Sequence, residues 1–89
     1  MDIEMKKLEE SNIGWKITFE VKLTNEESEN CDMGPLEYVG DYEIRKNDDI
    51  IIFRCDFNAK ELRNNETIDG RLKLINEDIK SMVNMCLEW

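Results

Sequence analysis

The chain contains no histidine. That removes the usual general base near neutral pH, the Cys–His and Ser–His dyads, and the imidazole ligand found in most mixed zinc sites. Cysteine is sparse: Cys31, Cys55 and Cys86 are odd in number, widely spaced and without a C-x-x-C pair. Four thiolates for zinc cannot be assembled, and the pattern reads as reduced thiols rather than a disulfide framework. Glycine occurs four times and proline once. The glycines stand singly, so there is no glycine-rich loop to cradle a phosphate. The longest purely aliphatic or aromatic run, Ile50-Ile51-Ile52-Phe53, falls far short of the roughly 20 apolar residues of a membrane helix. The first ten residues, MDIEMKKLEE, are charged throughout and lack the apolar core of a secretory signal. These absences predict a cytoplasmic protein that carries no cofactor or metal and does not act as an enzyme. The sequon Asn65-Glu66-Thr67 has no use in that compartment.

Positive charge is also short. Against 21 acids there are 12 bases, for a net charge of −9. Such a surface repels nucleic acid and anionic lipid and favours basic partners. The abundance of Asn, Ile, Lys, Glu and Asp, with little Ala, Gly, Pro or Arg, suits an AT-rich genome such as that of a low-GC bacterium, its phage or a virus.

What is present is pattern. In Ile13–Leu23 every odd-numbered residue is apolar: Ile13, Trp15, Ile17, Phe19, Val21 and Leu23. Side chains of a strand alternate faces, so this stretch presents one apolar and one polar face. Each large apolar group it buries contributes roughly 1.5–3 kcal/mol, which makes it the organising strand. Trp15 is expected under the C-terminal helix. Met1–Leu8 suits either a strand, paired with the organising strand as a hairpin, or a short helix. Thr24–Pro35 has no periodicity and reads as a long loop. Leu36–Arg45 reads as a second strand, with Leu36, Tyr38, Gly40, Tyr42 and Ile44 on one face and Glu37, Val39, Asp41, Glu43 and Arg45 on the other. Gly40 in mid-strand suggests a bulge or the close approach of Trp15. Lys46–Asp49 supplies turn residues, and Ile50–Phe57 a third strand. That strand is apolar on both faces at its start, through Ile50 and Ile52, and the second face is expected to be covered locally by the N-terminal segment.

Asn58–Glu61 has capping-box spacing and predicts a single helical turn to Arg63, ended by Asn64-Asn65. From Ile68 the spacing changes. Ile68, Leu72, Ile75, Ile79, Met82, Val83 and Cys86 recur at three and four residues, one apolar helical face, with Asn65 or Thr67 as its cap. Arg71–Ile75 also fits a fourth strand, and a helix over Glu77–Leu87 survives either way. Trp89 either folds back on the core or anchors a partner. The fold class is α+β: one domain, residues 1–89, with an antiparallel meander of three to four strands against a C-terminal amphipathic helix. A core this small also leaves room for a homodimer.

The candidate site is acidic. Between Thr24 and Glu43 there are seven acids and no base: Glu26, Glu27, Glu29, Asp32, Glu37, Asp41 and Glu43. Three lie on the polar face of the expected second strand, with the other four tethered beside them in the loop. EF-hand spacing is absent, and nothing singles out a catalytic carboxylate pair. The leading expectation is a non-enzymatic module whose carboxylates meet a basic surface, that of a nucleic-acid-binding protein, in its sharpest form an inhibitor imitating nucleic acid as small acidic phage proteins do. The alternative is a structural or regulatory subunit that self-associates through its helix or a sheet edge, its acidic face only solvated.

Overall fold

The alternation that marks the organising strand becomes strand β2, Gly14–Lys22, and the strand with two apolar faces becomes β4, Ile50–Asn58. They pair antiparallel over nine residues. Val21 lies opposite Ile51, Phe19 opposite Phe53, Ile17 opposite Cys55 and Trp15 opposite Phe57. The computed structural model describes residues 1–37, 39–62 and 66–88. The N-terminal segment is strand β1, Asp2–Glu10, paired with β2 as a hairpin, and a short strand β3, Glu43–Asn47, pairs with β4. The sheet order is β1-β2-β4-β3, so the chain is not a simple meander: β4 inserts between β2 and β3. Composition explains the choice. In β3 only Ile44 is apolar, which suits an edge, whereas β4 with Ile50 and Ile52 on its second face gains from a neighbour on each side.

The second face of β4 is not roofed by the N-terminal segment, as the sequence suggests; β1 lies in the plane of the sheet instead. Ile50 and Ile52 are half-buried on that open face among the side chains of the adjoining strands. β1 itself carries a register shift between Met5 and Lys7. Before the shift Met5 faces Phe19; after it Leu8 faces Ile17. Ile3, Met5 and Leu8, which strict alternation would split, thus share the helix side of the sheet.

The three-and-four rhythm is realised as one helix, α2, Ile68–Glu88, so Arg71–Ile75 is helical and the fourth strand is β1. Ile75, Ile79, Met82, Val83 and Cys86 are buried against Ile17, Phe19, Val21, Ile51, Phe53 and Phe57. Thr67 caps it, its Oγ1 accepting from Gly70 N–H at 3.1 Å. Trp15 is only half-buried; it stacks on Phe57 with ring centroids 5.9 Å apart, and Arg71 covers the Phe57 ring at 4.8 Å. Ile13 does not join the core. It is 71% exposed in the β1–β2 turn, where its carbonyl accepts from Ala59 N–H. Asn58 caps a 3-10 turn over Ala59–Glu61 as its spacing suggests, while the expectations for Tyr38, Arg63, Asn64, Asn65 and Trp89 lie outside the described residues.

Two glycines give opposite predictions. A Cβ at Gly14 would clash with the Phe57 carbonyl oxygen, and backbone there cannot yield. Gly14→Ala is expected to cost about 3 kcal/mol in urea unfolding, the upper end of the overpacking range. At Gly70 the nearest atom is Thr67 Oγ1 at 3.5 Å, ordinary contact, so Gly70→Ala should stabilise α2 by about 0.5–1 kcal/mol.

Candidate acidic partner-binding face

The stretch read as a long loop holds a short helix, α1, Asn25–Asn30. Its signal is present in the sequence as Thr24-x-x-Glu27. Thr24 Oγ1 accepts from Glu27 N–H at 3.1 Å, and Glu27 Oε1 accepts from Thr24 N–H at 2.9 Å, a reciprocal capping box. Helix α1 is fastened at both ends. Ser28 donates to the Asp48 carbonyl in the β3–β4 turn at 3.2 Å, and Lys46 Nζ donates to the same oxygen at 2.7 Å. Beyond α1, Asp32 N–H donates at 3.0 Å to the carbonyl of Cys86, one of the carbonyls α2 leaves unpaired at its C-terminus. Asp32 Oδ1 accepts from Gly34 N–H at 2.9 Å and leads into a 3-10 turn, Gly34–Leu36, which drives Leu36 into the core.

The seven acids therefore meet different fates. Glu27 is committed to structure: the Thr24 backbone N–H, and then the N-terminal ammonium 3.0 Å away, hold its carboxyl below the usual range. Asp32 is likewise committed to the turn. Glu43 projects from β3 and pairs with Arg45 at 3.1 Å, with Arg54 opposite it on β4. Glu37 and Asp41 are not on a strand. The expected strand Leu36–Arg45 is shortened to Glu43–Asn47, because the 3-10 turn and then Val39, expected on the polar face, both turn towards the core. Gly40 has no atom within 4 Å of where its Cβ would be, so neither a bulge nor an approach by Trp15 explains it. Six of the seven are exposed, and among the described residues Glu26, Glu29, Glu37 and Asp41 are the four without a side-chain hydrogen bond or ion pair. Glu26 and Glu29 lie at the end of β3 that meets α1, and Asp41 lies at its start.

Asp41 has company that the sequence did not announce. It lines a cleft of about 500 Å³ with Asp56 from β4, Glu61 from the following turn and Asp78 from α2. These acids come from four segments, and the β3–β4 register and the docking of α2 bring them together. Arg71 is the base in that cleft, and it is occupied by the Phe57 ring and by Glu66, whose buried Oε1 lies 3.5 Å from Arg71 Nη1 without an aligned hydrogen bond. Tyr42 packs edge-on against Phe53, and burial pushes its hydroxyl up to about 12. The open face of the sheet differs in character. Its bases and acids alternate across the strands, Glu9 opposite Lys16 and Lys16 opposite Asp56, so it carries little local excess of either sign.

Among the described residues no group of three or more His, Cys, Asp or Glu is placed to hold a metal ion, and no helix is long and apolar enough to cross a membrane. Burial raises the Cys55 and Cys86 thiols to about 11. Exposed carboxylates lie near both ends of β3, Glu26 and Glu29 at one and Asp41 at the other. No family model, no curated protein and no solved structure matches the chain.

The depressed Glu27 carboxyl gives a signed prediction. A group whose folded pKa lies below its unfolded value contributes stability that is present above the unfolded pKa and lost as pH falls through the folded one. Glu27→Gln should lower the urea midpoint at pH 7, and the gap to the parent should close on acidification below about pH 4. A gap that persists unchanged at low pH would show that the ionised capping box contributes nothing.

Proposed function

We propose that this protein is a non-enzymatic acidic binding module that occupies a basic protein surface. The observation that carries this reading is the placement of four exposed acids: Glu26 and Glu29 beside one end of β3, Asp41 before its start with the Asp56–Glu61–Asp78 cleft behind it, and Glu37 just after the 3-10 turn. Their mutual repulsion brings the isolated fold no benefit, and a basic partner gives it a use. Such a field speeds association and rejects anionic competitors. The sharper form is an inhibitor that imitates nucleic acid, meeting a surface built to bind phosphates and working in the cytosol of a host cell. Supporting it are the small size, the net charge of −9 and an extended outline of 41 × 20 × 19 Å that can present carboxylates along a line.

A second reading has its own observation. β1 is a nine-residue edge strand, and Met5 and Leu8 on it are 39% and 40% exposed. An unpaired edge of that length with half-exposed apolar groups could add a second copy. The charges of DIEMKKLEE and the register shift work against it.

The two are separated by one set of variants. Changing Glu26, Glu29 and Glu37 to Gln and Asp41 to Asn should leave the fold intact and weaken capture of basic, nucleic-acid-binding proteins from cell extract. Capture by the parent should fall with rising salt, and duplex DNA should compete for the captured proteins. If the fourfold variant retains the same partners at the same salt, the acids are a solvated surface. A concentration-dependent dimer insensitive to salt would then favour the edge-strand reading.

A further inference from the structure

Sequence alone separates Cys31, in an acidic loop, from Cys86, on the apolar face of a helix. The fold brings them side by side. The Asp32 N–H to Cys86 carbonyl bond, 3.0 Å long, joins the chain at the peptide between Cys31 and Asp32 to the last turns of α2. A planar trans peptide carrying that bond places the two α-carbons within about 6–7 Å, the span of a disulfide. Each thiol perturbs the ionisation of the other, so the two side chains lie close in space. Cys31 donates to the Met33 thioether at 3.8 Å, and both residues pack against the core that contains Cys86. Cys86 is fully buried and Cys31 is half-buried.

We propose that Cys31 and Cys86 form a reversible disulfide that fastens the acidic α1 segment to the C-terminal end of α2. The oxidant is a small-molecule disulfide. Cys31 is the more accessible thiol; burial pushes it up, and the nearby Lys46 ammonium offsets part of that rise. Its sulfur attacks the small disulfide, whose S–S bond breaks and releases one small thiol. Cys86 then gives up its proton and attacks the Cys31 sulfur of the mixed disulfide, releasing the second small thiol. Two protein S–H bonds become one S–S bond, and the two electrons and two protons leave on the two small thiols. In a reducing compartment the same exchange runs backwards, so the link reports the thiol–disulfide balance around the protein. Cross-linking a loop of about 55 residues also restricts the unfolded chain and stabilises the fold. None of this depends on the acidic-partner reading, because it is read on the isolated protein.

The test incubates the folded protein with oxidised and reduced glutathione at graded ratios and follows intact mass, peptide linkage and thermal midpoint. The expected product is lighter by two hydrogens, contains a Cys31–Cys86 linked peptide and melts at a higher temperature than the reduced form. Cys55→Ser should behave in the same way. Cys31→Ser should show neither the mass loss nor the rise in midpoint, and Cys86→Ala should stop at one glutathione on Cys31. The proposal is overturned if the native protein gains only glutathione, if the linkage involves Cys55, or if the mass loss appears only when urea is present.

Discussion

The pairing of β2 with β4 is the interaction on which the rest of the molecule depends. It aligns Trp15, Ile17, Phe19 and Val21 with Phe57, Cys55, Phe53 and Ile51, and this double row is the floor on which α2 lies. Cross-strand apolar pairs are the stabilising unit of a sheet, and here four succeed one another on a single face. The flanking strands follow from it. β1 brings Leu8 to the same face as Ile3 and Met5 only by shifting register in the middle, and β3, with Ile44 as its one apolar residue, closes the other side. The long excursion between β2 and β3 follows as well, since the chain must travel past the place β4 will take. On the way it forms α1, the 3-10 turn and the link to the end of α2.

Much of this is legible in the sequence where periodicity is long and clean. The alternation in Ile13–Leu23 and the three-and-four rhythm from Ile68 carry enough repeats to specify β2 and α2 and to place the core on them. Short signals fared unevenly. Thr24-x-x-Glu27 is a capping box with no apolar run behind it, and it starts a helix that contributes no buried residue. Leu36–Arg45 alternates convincingly on paper, yet Pro35 sets a 3-10 turn and Val39 turns inwards, so only its last part becomes strand. The strand order was not legible: the apolar second face of β4 suggested a cover, whereas it belongs to a strand with a neighbour on each side.

The acidic site shows the same division. Its composition can be counted along the chain, and Glu26, Glu29, Glu37 and Asp41 remain exposed as a count would suggest. Which acids are spent on structure depends on local geometry: Glu27 on its cap, Asp32 on its turn, Glu43 on Arg45. Which distant acids join Asp41 depends on register and docking, and no spacing announces Asp56, Glu61 and Asp78 as its neighbours. The nearness of Cys31 to Cys86 has the same origin, because the backbone bond that joins them closes over most of the domain.

Native-state amide hydrogen exchange tests the central role of the β2–β4 pair most directly. The amides that pair β2 with β4, with those of the buried stretch Ile75–Val83 of α2, should exchange last and at the rate set by global unfolding. The amides of α1 and the outward-facing amides of β1 and β3 should exchange earlier, through local opening. Exchange of the β2–β4 amides as fast as those of β3 would contradict the account and place the stabilising centre elsewhere.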